Sequence, residues 1–145
     1  MKIALCFSGQ ARSFKKGYEY YKKNLLDHYD VDVYIHTWHG EALEFYKELD
    51  FLYKPKNMIV QSPVAEGYID NQYPNTPDAS KWPPRFTYSM FMSMYECSKL
   101  IEGNYDWVIR SRTDFALNVV IPFKEMDNSK LYIPNCRRSE EHTSE

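Results

Sequence analysis

The chain has 145 residues, 43% hydrophobic and 26% charged, with 18 basic against 20 acidic side chains, the profile of one folded domain rather than a disordered or fibrous chain. A near-neutral balance without a basic stripe leaves no electrostatic footprint for nucleic acid, which is not an expected partner. No apolar run approaches the roughly 20 residues of a membrane helix, and the apolar start before Ser8-Gly9-Gln10 is too short for a signal peptide, so no membrane span and a cytoplasmic location are expected.

Lys2 to Phe7, KIALCF, is a nearly continuous apolar run, as in a strand buried on both faces. Ala11 to Asp27 carries Phe14, Tyr18, Tyr21 and Leu25 at helical spacing, with Ser8 or Ser13 available to start the helix. Val31 to Trp38 reads as a second strand, Glu41 to Leu52 as a helix with Leu43, Tyr46 and Leu49 on one side, and Met58 to Gln61 as a third strand. Ser62 to Pro84 contains five prolines and is too long for an ordinary connection, so it is either a functional loop or partly disordered. Phe86 to Glu102 follows as a helix with Met90, Met94, Cys97 and Ile101 on one stripe, stopped by Gly103. Tyr105 to Arg112 is the fourth expected strand and Lys130 to Pro134 a fifth. Strands alternating with helices predict an α/β fold, a mostly parallel sheet with flanking helices.

Cys6, Cys97 and Cys136 are an odd number without metal-ligand spacing, and the first two fall in apolar patterns where a thiol acts as a small hydrophobe. The final stretch, Arg138 to Glu145, RSEEHTSE, resembles the translation of a sequencing adapter. The expected domain is therefore 1–137, read as an N-terminal piece of a longer protein, with 138–145 set aside as foreign. Removing the one Arg and three Glu of 138–145 leaves 17 basic against 17 acidic residues.

Apolar runs that end in clustered polar groups suit a crevice over a parallel sheet, where ligands bind outside the strands' carboxyl ends. The first strand ends in Ser8-Gly9-Gln10-Ala11-Arg12, the second in His36-Thr37-Trp38-His39, and the fourth in Arg110-Ser111-Arg112-Thr113-Asp114. Strand alternation puts Arg110, Arg112 and Asp114 on one face. That face must meet an anion, partner charges or water. A nucleoside diphosphate would supply the anion, with Arg contacting phosphate and Asp114 available to a divalent cation.

Blander readings stand beside these. Ser-Gly-Gln is also a common turn into a helix, His36 a plausible hydrogen-bonded core histidine, and Trp38 a packing residue. The two arginines have Asp106, Asp114 and Glu96 as candidate ion-pair partners. There is no Gly-rich phosphate loop, no Gly-x-Ser-x-Gly elbow and no His-Glu-x-x-His.

Taken together, FSGQARS, DVYIHTW, YSMFMSMYECSKL and YDWVIRSRTDF, in this order and spread over most of residues 1–123, resemble a group of glycosyltransferase-like proteins of the nucleotide-diphospho-sugar transferase fold, the GT-A type. The resemblance implies a GT-A-like, Rossmann-like nucleotide-sugar-binding half. Its donor would be a nucleoside-diphosphate sugar and its acceptor a glycan or lipid-linked glycan, as in polysaccharide biosynthesis. Asp114 would stand at the last acid of a metal-binding Asp-x-Asp that holds Mn²⁺ or Mg²⁺, while Arg112 replaces the first. Ser8, Gly9, Gln10 and Arg12 would border the nucleotide, His36 and Trp38 the base or crevice wall, Ser89 would face the site, and Arg110 or Arg112 would take part of the phosphate charge. The acceptor half and general base would lie after residue 114, so no catalytic residue is assigned, and the chain alone is expected to bind nucleotide weakly without turnover. The alternative is a non-catalytic nucleotide- or phosphate-binding module of the same fold.

Overall fold

The computed structural model describes residues 1–40, 43–65, 67–75, 77–78 and 80–134. In chain order these form β1 (Lys2–Ser8), α1 (Phe14–Tyr21) widening into a π-helical turn (Lys22–Leu26), β2 (Asp30–Trp38), α2 (Leu43–Tyr53), β3 (Asn57–Gln61), α3 (Tyr68–Gln72), α4 (Pro84–Lys99) and β4 (Trp107–Ser111). A short 3-10 turn, Phe123–Glu125, follows. The four strands make one sheet in the order β3-β2-β1-β4, and every pairing is parallel. β1 lies inside, between β2 and β4, and is buried almost throughout, which is why its sequence is continuously apolar instead of alternating.

Helices cover both faces. Toward α1 and α2 point Ile3, Leu5 and Phe7 of β1 with Val33 and Ile35 of β2, packed on Phe14, Tyr21, Leu25, Leu49 and Tyr53. The Phe7 ring sits edge-on between Tyr21 and Tyr53, at 5.0 and 4.9 Å. The opposite face is thinner: Ala4, Cys6 and Tyr34 meet Cys97 of α4 and Leu100, which caps it. Small residues there let α4 approach so closely that the Cys97 thiol donates to the carbonyls of Phe7 and Tyr34, at 3.2 and 3.6 Å. Cys6 and Cys97 are buried and not disulfide-bonded, and the hydrogen bond between their thiols together with burial pushes Cys6 up. Both serve as small core residues.

Several sequence expectations shift. The first helix begins at Phe14, not Ala11, because Ser13 takes a left-handed backbone (φ 49°) and caps nothing with its side chain. Leu43 is exposed, and the buried stripe of α2 is Tyr46, Leu49 and Tyr53. The proline-rich segment carries α3, whose Ile69 is buried. On α4 the inward residues are Ser93 and Cys97 rather than a methionine stripe: Met90 is exposed and Met94 half-buried. Lys130 to Pro134 is not a strand. Leu131 and Ile133 are exposed, unpaired with the outer strand β4, and only Tyr132 docks, against Trp107 at 6.0 Å. Glu41, Cys136 and 138–145 lie outside the described residues.

α1 stitches down the segment that follows β4. A Cβ at Gly17 would fall 1.9 Å from the Thr113 carbonyl oxygen, so only glycine permits this approach. Around it the Tyr21 hydroxyl bonds Ser111 Oγ (2.6 Å) and the Arg112 carbonyl, Thr113 Oγ1 donates to the Arg12 carbonyl, and Asn24 donates to Leu117. Burial pushes the Tyr21 phenol up to about 12, so it is neutral and free to donate at physiological pH.

Candidate functional site

Chain order reverses between β1 and β4. β1, β2 and β3 step one way across the sheet, and the connection through α3 and α4 carries the chain back past β1 to β4 on its other side. A crevice opens at such a point, at the strands' carboxyl ends. β1 delivers Ser8 and Gly9 there, and β4 delivers Arg110 and Ser111, with Cys6 opposite Arg110 and Phe7 opposite Ser111 in register. Gly9 has φ 105°, a left-handed conformation that favours glycine, and no atom lies within 4 Å of where its Cβ would be. The backbone there borders open space.

Under that turn a polar chain runs from the buried Ser93 and His36 out to the exposed Gln61. The Gly9 N–H donates to Ser93 Oγ at 2.6 Å, Ser93 Oγ and His36 Nδ1 are 2.7 Å apart, and His36 Nε2 and Gln61 Oε1 are 2.9 Å apart. The Gln61 oxygen only accepts, so the network assigns the imidazole proton to Nε2 and leaves Nδ1 to accept from the Ser93 hydroxyl. A serine bonded to a histidine that a third side chain orients has the outline of a nucleophile and its base. Here His36 and Ser93 are both 0% exposed, so no substrate reaches them. Their effect is to hold the Gly9 turn, the ends of β2 and β3, and α4 in one arrangement.

The charged residues separate into two sets. Arg112 donates from Nε and Nη2 to both oxygens of Asp114, at 2.9 and 2.7 Å. Strand alternation no longer governs this pair because β4 ends at Ser111. Arg110 sits on the α4 face beside Ser8, whose hydroxyl accepts its Nε–H at 3.3 Å, and neither Arg110 nor Arg12 has a carboxylate partner among the described residues. A metal ion fits this donor set poorly: both Asp114 oxygens are engaged by a guanidinium, and no group of three or more His, Cys, Asp or Glu converges among the described residues.

The remaining expected residues are placed as follows. Gln10 is exposed and its carbonyl accepts the Arg12 N–H at 2.9 Å. Trp38 is buried, edge-on to His36 at 5.0 Å, so it underlies the crevice as packing. Ser89 is half-buried on α4, one turn before Ser93. Ser8, Gly9, His36 and Arg110 are thus brought together, joined by Ser93 and Gln61, which sequence reasoning passed over. Ser93 lay hidden among the methionines, though it holds the same helical face as Cys97.

Two shallow hollows lie elsewhere, one lined by Met1, His28, Tyr29, Asp30 and Lys124, the other by Lys15, Tyr18, Glu19, Glu48, Phe51 and Leu52. The second already contains the Lys15–Glu48 ion pair, and neither contains the strand-end residues. Among the described residues no helix is long and apolar enough to cross a membrane. No family model, no curated protein and no solved structure matches the chain.

Proposed function

We propose that the chain binds the diphosphate of a nucleoside-diphosphate sugar at the carboxyl ends of β1 and β4, as the donor half of a glycosyltransferase-like protein of the GT-A type acting on a glycan or lipid-linked acceptor. The observation that carries this reading is Arg110: an arginine without a carboxylate partner among the described residues, beside a serine hydroxyl and an open left-handed glycine, at the reversal of strand order. A hydroxyl and a guanidinium fork are donors a phosphate takes. Arg12, exposed on the following turn, adds a second positive charge.

The chemistry available is charge neutralisation of the diphosphate by arginine. Arg112, which now holds both oxygens of Asp114, would add to it only by exchanging that carboxylate for phosphate. No step of sugar transfer is assigned to residues of this chain.

The engagement of Asp114 by Arg112 favours a second reading, a non-catalytic nucleotide- or phosphate-binding module. Calorimetric titration with nucleoside diphosphates, with and without Mn²⁺, separates the two. Arg110→Ala is expected to weaken binding roughly ten- to hundredfold in either case, the worth of a charge-assisted hydrogen bond. Asp114→Ala abolishes a Mn²⁺-dependent part of the affinity under the transferase reading. Under the module reading it leaves affinity unchanged while Arg112→Ala reduces it. A wild-type chain that binds no nucleoside diphosphate sinks both.

A further inference from the structure

β4 is an outer strand of the sheet, and among the described residues it pairs with β1 alone. An outer strand carries a row of backbone N–H and C=O groups on its free side, ready to take another strand. Its side chains on one face are bare as well. Val108 lies opposite Ala4 and Arg110 opposite Cys6 in register, which puts them on the side where α4 packs. The cluster that α4 closes takes in Ala4, Cys6 and Tyr34 but no residue of β4. Asp106, Val108 and Arg110 are therefore all exposed, Val108 by 57%. Asp106 accepts the Lys2 backbone N–H through one oxygen and, like Arg110, forms no ion pair among the described residues.

Outward from Val108, this edge is complementary to its own reverse. Two copies paired antiparallel about a two-fold axis at Val108 set that valine opposite itself and Trp107 opposite the partner's Ile109. The same register sets Asp106 opposite the partner's Arg110, and does so twice. Residues opposite one another in an antiparallel pair share a face, with Cβ atoms about 4.5–5.5 Å apart, where unlike charges attract and like charges repel. Moving the axis to Trp107 or to Ile109 sets Val108 opposite Asp106 or Arg110 and loses the match. Pairing of this kind is isologous, so it uses up the free edge of both copies and closes at two.

We infer that the chain associates with a second copy through β4, its four-stranded sheet running on into the partner's, with Val108 on the axis and Asp106 paired with the partner's Arg110. What selects a second copy over an unrelated strand is the side-chain match. Any strand could satisfy the free backbone groups, but this one brings an acid to the arginine, a base to the aspartate and an apolar residue to the valine. The inference is independent of the phosphate reading. Arg110 gives its Nε–H to Ser8, and the partner's carboxylate and a phosphate would compete for its remaining donors.

The contact is one short strand on each side, well under the roughly 1,200 Å² of a stable interface, so the dimer is expected to be weak. The test is sedimentation equilibrium of the whole chain from about 10 μM to about 1 mM, the range in which such an affinity shows. A reversible equilibrium between monomer and dimer is expected. Val108→Lys places two ammonium groups together on the axis, and Arg110→Asp places an acid against Asp106 twice; each should weaken the dimer at least about tenfold. The double variant Asp106→Arg, Arg110→Asp keeps unlike charges opposite and should restore it. Val108 and Arg110 are exposed, so both single variants are expected to fold, with an unchanged circular dichroism spectrum as the check, and they decide the matter even if loss of the Lys2 bond unfolds the double variant. A wild type that stays monomeric throughout overturns the inference, whatever else occupies the edge. So does a dimer indifferent to Val108→Lys and Arg110→Asp, which would be held through another face. A folded double variant that stays monomeric overturns the pairing of Asp106 with Arg110.

Discussion

The two ends of the sheet treat charge in opposite ways. At the amino end, Asp32 accepts from Lys2, Lys56 and the Tyr105 hydroxyl, at 3.1, 3.2 and 2.6 Å, and Tyr105 bonds Tyr34 at 2.6 Å. Asp106 closes β4 onto β1 by accepting the Lys2 N–H at 2.7 Å. At the carboxyl end Arg110 and Arg12 have no carboxylate partner among the described residues, while the hydrogen-bonded side chains of Ser93, His36 and Gln61 fix the backbone beside them. Charges paired with one another hold strands together. Charges left over beside a rigid turn are what the proposed phosphate site would use, at the end of a parallel sheet where ligands bind.

The sharpest way to break the comparison is at Gly17. A methyl group there meets a backbone carbonyl at 1.9 Å, and a carbonyl held by its own chain cannot turn away as a side chain could. Gly17→Ala should cost about 3 kcal/mol, the upper part of the range for overpacking. It also pushes the segment carrying Arg112 and Asp114 off α1. Thermal unfolding reads the first effect, and the loss of any Asp114-dependent binding reads the second. A variant as stable as the wild type would show that the α1 contact is not close-packed in solution.

Ser93→Ala is the next largest. It leaves the part-buried Gly9 N–H and the buried His36 Nδ1 without partners, a buried group costing about 1–3 kcal/mol when unsatisfied. We expect a net loss of about 2 kcal/mol in urea unfolding, with weaker ligand binding because the Gly9 turn loosens. An Arg110→Ala variant is the complement: affinity falls while stability stays within about 0.5 kcal/mol, as for an exposed side chain. If Arg110→Ala destabilised as much as Ser93→Ala, the division between a neutral scaffold and free charges would be wrong.

How far this could be read from the sequence depends on the range of the signal. β1 declares itself because a strand buried on both faces needs apolar side chains at every position. The alternation of strands and helices, and the polar clusters at the strand ends, are likewise local patterns. Lys130 to Pro134 carries the same local pattern and fails, because a strand is made by hydrogen bonding to a neighbour and this segment touches the outer strand β4 only through Tyr132 on Trp107. Arg112 and Asp114 share a face with Arg110 only while the strand continues, and it stops one residue before Arg112. Ser93 was the hardest to see. A serine among methionines reads as a tolerated polar residue until the Gly9 N–H and His36 are found facing it, and that meeting joins residues 84 and 57 positions apart.

The smallest effect should come from the amino end. Asp32 has its carboxyl held below the usual carboxylate range, chiefly by the Tyr105 hydroxyl and then by the Lys2 and Lys56 ammonium groups. Because its folded-state value lies below the unfolded one, its stabilisation is complete above about pH 3.9 and is lost as pH falls through the folded-state value. Both lysines are more than 40% exposed, so solvent screens the pairs and Asp32→Asn should cost less than about 1 kcal/mol at neutral pH. The variant should also show a shallower fall in stability between about pH 4 and pH 2 than the wild type, measured by urea unfolding across that range. Identical acid profiles would mean that the Tyr105 hydroxyl, which can donate equally to an asparagine carbonyl, holds Asp32 by itself, and that its pairing with Lys2 and Lys56 contributes nothing measurable at the amino end of the sheet.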